Sequence, residues 1–346
     1  MRFLLDTEQR AFADSLGAML TAADTPSVVR DWSRGEHAGG RALWSRIAEA
    51  GLFALAVPEE YGGLGVRPVE LTVAFVELGR HAVPGPLVET VAAATVLAGL
   101  DDPGPAKRLL PALATGESTA TLATGPYALD ADVADVRLTL SRTNTELRLA
   151  PTSPEDAPSS HLTPPPDDAR PTPRGPRPSL DPARRLFPAP SGGELLAAGP
   201  QVAEAATRAL AHARLATAAQ SLGVGLALLD RTVAYVKQRS QFGVPIGSFQ
   251  AVKHQLADVK IALEFARPLL FGAALSLAPA DVAAAKVTAC EAAYATARTA
   301  LQLHGAIGYT AEYDLSLWLT KARALRTAWG GPRECRALVV GAGGQW

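Results

Sequence analysis

Two long helical stretches of this sequence are separated by Arg239-Ser240-Gln241-Phe242-Gly243-Val244-Pro245-Ile246-Gly247-Ser248-Phe249-Gln250. The first helix ends in a cation, a Gly/Pro turn follows, and a second helix is predicted to start at Ser248. Backbone N–H groups at that start and the Arg239 guanidinium can converge on one anion, so a phosphate site is physically reasonable. The simpler alternative is that Arg239 only complements the negative end of its own helix dipole.

A second glycine break interrupts helical sequence in Leu301-Gln302-Leu303-His304-Gly305-Ala306-Ile307-Gly308-Tyr309-Thr310-Ala311-Glu312-Tyr313. Gln302 and the glycine break could let a cofactor or another chain approach the backbone closely, because glycine has no side chain. The alternative is an ordinary helix end with glycine caps. A histidine in this position is more typical of a packing residue than of a base or ligand, and we assign His304 no role.

The N-terminal part of the chain has helical periodicity from Asp6 to about Leu100. Asp6 followed three residues later by Gln9 predicts a capped helix start. After Pro200 the sequence is rich in alanine and punctuated by leucine, which predicts a bundle of four or more helices with short connections.

The part between these helical regions has a different pattern. The period changes between Ser118 and Ala150, because apolar and polar residues alternate from Val136 to Ser141 and again at Leu147 and Leu149, which predicts a β-hairpin. The next forty residues, 151–190, hold thirteen of the 27 prolines and few large apolar residues. We therefore expect an extended, partly disordered loop with no packed core there.

Composition excludes several classes of protein. Of the 346 residues 48% are hydrophobic, and 33 Lys and Arg nearly balance 34 Asp and Glu, so no overall field favours nucleic acid. Cys290 and Cys335 have no C-x-x-C spacing, so we expect neither a metal site nor a disulfide framework and predict a cytoplasmic protein. No apolar run reaches the roughly 18 residues of a membrane span, and the N-terminus lacks a signal-sequence pattern.

Taken together, the two glycine-broken stretches resemble the acyl-CoA dehydrogenase family, whose hallmarks are R-x-Q-F-G-x-x-[IL]-x-x-x-Q and Q-x-x-G-[GA]-x-G-[YF]. The N-terminal half agrees in order and spacing, with Pro58-Glu59-Glu60-Tyr61-Gly62-Gly63-Leu64-Gly65, Glu77-Leu78-Gly79-Arg80, Leu109-Leu110-Pro111 and Gly116-Glu117. The resemblance implies a mostly α fold with an N-terminal α-helical domain at 1–117, a small, reduced β middle domain with a Pro-rich loop at 118–195, and a C-terminal four-helix bundle at 196–346.

The resemblance also implies a cofactor. Family members bind FAD at a subunit interface, where the middle domain holds the flavin ring and the two hallmark segments of the neighbouring subunit hold the pyrophosphate and adenylate. Carried over position by position, the FAD contacts of this chain would be Arg239, Gln241, Phe242, Ile246, Phe249, Gln302 and Gly305.

The residues that the family uses for chemistry differ here. The family reaction removes the proton α to a thioester and passes the β hydrogen to flavin as hydride, which requires a glutamate base. Its usual Y-E-G-T segment aligns with Ala328-Trp329-Gly330-Gly331, and its alternative position on the first bundle helix is Ala213, followed by the usual arginine, Arg214. With Trp329 and Ala213 at the base positions, we predict no catalytic residue.

The middle domain departs from the family as well. The family's T-E-P-x-x-G-S-D flavin segment aligns with Thr124-Gly125-Pro126-Tyr127-Ala128-Leu129-Asp130-Ala131, and no W-[IV]-T-[NS] follows. The Pro-rich stretch stands where the remaining strands should be. We therefore expect that the chain does not hold a flavin ring in its own middle domain.

These departures predict a non-catalytic subunit of a flavin-dependent acyl-CoA dehydrogenase. It resembles subunits of actinobacterial α2β2 heterotetramers in lipid or steroid metabolism, in which a catalytic partner supplies the base, the ring pocket and most of the acyl-CoA contacts. A scaffold protein of the same fold is an alternative, but it gives no reason for retaining Arg239, Gln241 and Gln302. An enzyme for another reaction is a third, but no substitute catalytic constellation is present.

Overall fold

The structure is a computed structural model that describes residues 5–151 and 175–342. Its N-terminal part contains six helices, α1 Thr7–Thr21, α2 Thr25–Arg34, α3 Ala38–Glu49, α4 Pro68–Arg80, α5 Leu87–Ala98 and α6 Pro103–Ala114. The predicted cap is confirmed: Gln9 N donates to Asp6 Oδ1 (2.8 Å), and Asp6 N donates to Gln9 Oε1 (3.1 Å). This reciprocal pair satisfies two backbone donors that the first turn of α1 would otherwise leave free.

A small β region follows the six helices. Its strands are β1 Ala120–Ala123, β2 Tyr127–Leu129, β3 Val136–Leu140, β4 Glu146–Leu149, β5 Leu186–Pro188 and β6 Glu194–Ala198. Four strands form one sheet in the order β1-β3-β4-β6, with β1 and β3 parallel and the other pairs antiparallel, while β2 and β5 form a second, two-stranded sheet. The predicted hairpin is confirmed as β3 and β4, because alternate residues of β3 are buried as the sequence pattern requires.

The prediction of an unpacked loop at 151–190 is wrong for its C-terminal part. Residues 152–174 lie outside the described residues, but β5 pairs with β2. Asp181, Ala183 and Arg185 are also buried. Ion pairs and backbone pairing rather than apolar residues fix this part of the chain, and composition alone does not reveal such partners.

The C-terminal part is a helical bundle. Its elements are α7 Pro200–Gln238, β7 Ser240–Gln241, β8 Val244–Pro245, α8 Gln250–Ser276, α9 Pro279–His304, α10 Leu315–Leu325 and α11 Pro332–Ala342. The 39-residue α7 is central and packs against α4, α5, α8, α9 and α10. Gly223 of α7 and Gly79 of α4 let the two backbones approach closely, because a Cβ on either would collide with a carbonyl oxygen of the other helix.

One continuous apolar core joins the three parts and includes Leu78 of α4, Leu138 of β3 and Leu222 of α7. The predicted fold class, mostly α with a small β middle region between two helical domains, is confirmed. The proposed domain limits stay predictions, and β6 extends across the predicted boundary between 195 and 196. In the described ranges, none of the helices combines the length and apolar character needed to cross a membrane.

Candidate functional site

The first predicted anion-binding segment is a short hairpin that projects from the end of α7. Strands β7 and β8 pair, and Ile246 N donates to the carbonyl oxygen of Arg239 at 2.8 Å. Phe242 and Gly243 have φ values of 53° and 81° at the tip, the left-handed conformation that a two-residue hairpin turn uses. A non-glycine residue rarely adopts it without strain, and the Phe242 side chain is 92% exposed. The hairpin therefore exposes the Phe242 ring at its tip.

The polar side chains of this hairpin have no partners within the chain. Arg239 and Gln241 are exposed, and neither side chain makes a hydrogen bond or ion pair with any described residue. Phe249 lies edge-on to Phe242 with ring centroids 6.3 Å apart, and Ile246 is half-buried beneath them. Two free donors thus lie beside an apolar platform.

The second predicted segment lies at the same end of the bundle. Helix α9 ends at His304, whose ring stacks on that of Tyr235 in α7 with centroids 4.1 Å apart, which places the ends of α7 and α9 side by side. Gln302 and Gly305 line a groove of about 680 Å³. Gly305 has φ 68° and open space around it, so the backbone there is approachable.

Helix α8 has two apolar faces, and the chain covers only one of them. Its inner face, Val259, Leu263, Ala266 and Leu270, is buried against the bundle. Its outer face carries the α8 stripe, which we define as Ile261, Phe265 and Leu269, with exposures of 53%, 69% and 46%. A helix that is apolar on both faces is normally buried on both, so the α8 stripe indicates contact with another chain.

A cavity of about 710 Å³ lies where the three parts of the chain meet. Its wall is formed by Glu89 of α5, the turn at 124–129, residues 178–186, Leu210 and Arg214 of α7, and the segment at 324–330. Within the described residues its two lining carboxylates are Glu89 and Glu334.

Trp329, which the sequence predicts to occupy the usual base position, lies in this cavity wall. Two cations fix its left-handed backbone (φ 57°): Arg214 Nε donates to the Trp329 carbonyl oxygen (3.0 Å), and Lys286 Nζ donates to that of Gly330 (2.8 Å). Its indole N–H donates to Glu89 Oε1 at 3.2 Å. Ala213, the alternative base position, is fully buried in α7.

The sequence analysis missed Glu89, which is 3% exposed. Arg184 Nη2 lies 3.5 Å from Glu89 Oε1, and Glu89 Oε2 has no hydrogen-bond partner among the described residues. Burial raises the pKa of the Glu89 carboxyl, and the Arg184 charge only partly opposes this. One signal was available, because Glu89 is the only charged residue in the apolar helix Leu87–Ala98.

The segment at 178–187 forms part of the cavity wall and is held in place by buried ion pairs. Asp181 pairs with Lys321 of α10 at 3.1 Å, and both side chains are 3% exposed. Arg185 pairs with Asp132 and lies 3.9 Å from Asp130. These contacts join the β region to the bundle and fix one wall of the cavity.

Asp130 gives a prediction about pH. It is fully buried, its Oδ1 accepts from Trp32 Nε1 at 3.1 Å, and burial raises its pKa well above the usual range. The folded state therefore holds this proton more tightly than the unfolded state does. Its contribution to stability is complete below the unfolded pKa of about 3.9 and is lost as the pH rises toward the raised folded pKa.

Asp130→Asn removes the titrating carboxyl. Asparagine adopts the left-handed φ of 49° readily, and its side-chain oxygen can still accept from Trp32. We expect the free energy of unfolding of the variant, relative to the original chain, to increase between pH 4 and pH 8. Urea midpoints at several pH values measure it, with Asp101→Asn on the exposed surface as control. A difference that stays constant with pH would contradict the assignment.

Comparison with known proteins agrees with this geometry. The N-terminal domain model of the acyl-CoA dehydrogenases matches residues 6–117, and the C-terminal domain model matches residues 203–344. The acyl-CoA dehydrogenase IpdE2 of Mycobacterium tuberculosis is 32% identical over 332 residues, which cover 94% of each chain. The chain belongs to the acyl-CoA dehydrogenase family.

Solved acyl-CoA dehydrogenase structures share the fold over their whole length. The ChsE4-ChsE5 complex from Mycobacterium tuberculosis contains a chain with a TM-score of 0.82 at 23% identity, with 100% of both chains covered. The Tcur3481-Tcur3483 steroid acyl-CoA dehydrogenase contains one with a TM-score of 0.79 at 25% identity, covering 98% of this chain and 99% of that one. A glutaryl-CoA dehydrogenase from Mycobacterium smegmatis, solved in complex with FADH2, shares the fold with a TM-score of 0.77 at 18% identity, covering 98% of this chain and 95% of that one.

The cavity beside Trp329 contains a buried glutamate, Glu89 of α5, that the sequence did not predict as a site residue. The described residues contain no group of three or more His, Cys, Asp or Glu side chains that could hold a metal ion.

Proposed function

We propose that this chain is the non-catalytic subunit of a heteromeric acyl-CoA dehydrogenase and contributes the FAD nucleotide-binding face to a catalytic partner. The observation that carries the proposal is that the polar side chains of Arg239 and Gln241 have no partner within the described residues and lie on an exposed hairpin beside aromatic rings. In the same chain, the predicted base positions hold Trp329 and Ala213, neither of which can accept a proton. The complex performs α,β-dehydrogenation of an acyl-CoA thioester, of which the steroid side-chain thioesters are one candidate class.

The exposed end of the bundle fits the nucleotide half of FAD. A pyrophosphate requires cationic and N–H donors, and the free Arg239 and Gln241 side chains supply them. Phe242, Ile246 and Phe249 offer an apolar surface beside these donors, while Gln302 and Gly305 leave backbone and amide groups accessible in the adjacent groove. When bound, FAD supplies the acceptor for the hydride that leaves the β-carbon of the thioester.

The cavity of this chain is a poor match for the flavin ring of the same complex. Residues 178–186 form part of its wall and are held in place through the Asp181–Lys321 ion pair, and Glu89 contacts both Arg184 and Trp329 at its polar end. Opening it would break buried ion pairs, which is strongly unfavourable. We place the ring, the base and most substrate contacts in the partner.

The partner is proposed to cover the α8 stripe and the hairpin. Both are apolar and exposed in the single chain, and a stable interface needs such a desolvated core. The similar structures named above are of ChsE4 with ChsE5 and of Tcur3481 with Tcur3483, which supports an arrangement of two unlike chains. Lipid or steroid metabolism in the cytoplasm is the proposed setting.

The test is Arg239→Ala in the co-expressed complex. A charge-assisted contact to phosphate contributes about 1.5 to 3 kcal/mol, so we expect FAD affinity to fall roughly ten- to a hundredfold. Lys237→Ala is the matched control, because it removes an exposed cation two residues away in the last turn of α7. FAD content and affinity are measured by flavin absorbance and equilibrium dialysis.

Equal FAD affinity in the Arg239→Ala and Lys237→Ala complexes would show that Arg239 only complements its helix dipole. The subunit assignment has a separate test. An isolated chain that purifies with stoichiometric FAD and oxidises acyl-CoA without a partner is an enzyme in its own right, and the proposal would then be wrong.

A further inference from the structure

We propose that the cavity at Glu89 is a ligand site in its own right, which binds a small apolar molecule through one carbonyl or hydroxyl oxygen, with the Glu89 carboxyl as the polar anchor. This site goes beyond the proposed subunit function, because it needs neither FAD nor the partner's base. It depends on the shape of the cavity, the unpaired oxygen of Glu89, and the apolar residues around them.

The polar end of the cavity is built from three parts of the chain. Glu89 comes from α5, Arg184 from the segment preceding β5, and Trp329 from the segment between α10 and α11. The indole N–H of Trp329 and the guanidinium of Arg184 both approach Oε1, at 3.2 and 3.5 Å. They hold the carboxyl in one orientation and leave Oε2 without a partner among the described residues.

An unpaired carboxyl oxygen at this depth needs an explanation. A buried polar group without a hydrogen bond destabilises the folded state, and an apolar residue of similar volume would fill the same place at lower cost. Every other residue of α5 except two threonines is apolar. The carboxyl is therefore unfavourable for folding alone, and a ligand oxygen that pairs with Oε2 accounts for it.

The protonation of Glu89 fits an uncharged oxygen. Burial raises the pKa of this carboxyl, whereas Arg184 and the Trp329 indole oppose the shift, and Glu89 in turn contributes to the raised pKa of the buried Asp130 carboxyl. A carboxyl that retains its proton can donate to a carbonyl, and either form can accept from a hydroxyl.

The rest of the wall sets the shape of the ligand. Leu122, Leu129, Leu186 and Leu210 line the space together with Trp329, and Arg142 and Arg214 also lie in the wall. A cavity of about 710 Å³ with such walls matches the size and chemistry of small-molecule pockets, in which a few polar groups fix orientation. The ligand is therefore an apolar, ring-sized body with one hydrogen-bonding oxygen at its inner end.

The experiment measures 2-naphthol and naphthalene binding to the co-purified complex by probe fluorescence anisotropy. Each probe is titrated into complexes that contain the original chain, Glu89→Leu or Glu89→Gln. Probe bound by the partner gives the same background in all three, because the substitutions lie in this chain. We expect Glu89→Leu to lower the affinity for 2-naphthol at least tenfold without lowering the affinity for naphthalene. Glu89→Gln should keep most of the affinity for 2-naphthol, because the amide still forms a hydrogen bond.

A second variant separates the cavity from the carboxyl. Leu210→Trp, on the half-buried cavity wall, fills the space without touching the polar end and is expected to abolish binding of both probes by this chain. Circular dichroism melts confirm that each variant is folded. The proposal is overturned if Glu89→Leu and the original chain bind 2-naphthol equally, or if Leu210→Trp changes nothing.

Discussion

Replacing Phe265 with Glu is expected to abolish association with the partner chain. Phe265 is the centre of the α8 stripe and is 69% exposed in the single chain. Burying a phenylalanine at an interface contributes about 1.5 to 3 kcal/mol, and an unpaired carboxylate in its place adds a desolvation penalty of several kcal/mol. Together these effects weaken association by roughly a thousandfold or more.

Co-purification of the two chains from a strain that expresses both, followed by size-exclusion chromatography, measures this effect. Leu195→Glu is the matched control, because Leu195 is 47% exposed on β6, in the β region rather than the bundle. We expect the control complex to form normally, whereas the Phe265→Glu chain elutes alone and aggregates less than the unpartnered original chain. An intact, FAD-containing Phe265→Glu complex would place the interface elsewhere.

Features with local causes could be predicted from the sequence. The capping box at Asp6 and Gln9 depends on residues three positions apart, and β3 and β4 follow from alternation within fifteen residues. The two hallmark segments lie at one end of the bundle as the resemblance implies, joined by Tyr235 and His304. Patterns of period two and 3.6, and short motifs, carry this information directly.

Features that depend on distant contacts could not be predicted. Glu89 and Trp329 are 240 positions apart, and no periodicity relates them. The order of residues 175–190 was missed for a related reason, since Asp181 and Arg185 are fixed by charged groups in other parts of the chain. A proline-rich composition indicates that a segment has little local tendency to form regular structure. It does not reveal the distant charged partners that stabilise the segment in the fold.

The segment containing Trp329 is held rigidly by two cations. Arg214 and Lys286 bind two successive carbonyl oxygens and so hold a left-handed residue in a fixed orientation. Lys286 is 1% exposed, and the indole that it helps to place then donates to Glu89. The two cations thus form a rigid support for one side chain, and the identity of that side chain determines which groups the cavity can bind.

Trp329→Glu is expected to destabilise the chain by about 3 to 5 kcal/mol without creating dehydrogenase activity. The substitution deletes the packing of a large indole and the N–H donor to Glu89 Oε1, now 3.2 Å away. It also puts a second carboxyl beside a buried one, so one of the two must stay protonated. A base in that state has no flavin ring beside it in the proposed complex, and general-base gains of about 10²- to 10⁴-fold require both.

Two controls separate these causes. Trp329→Phe keeps an aromatic ring and loses only the donor, so a smaller loss of about 1 to 3 kcal/mol is expected. Trp329→Glu combined with Glu89→Gln removes the second carboxyl and should recover part of the stability lost by Trp329→Glu. Urea unfolding measures the free energies. Activity is measured as acyl-CoA-dependent reduction of an electron acceptor by a complex whose partner has lost its own base, and substantial turnover with Trp329→Glu would mean that this chain completes a flavin site.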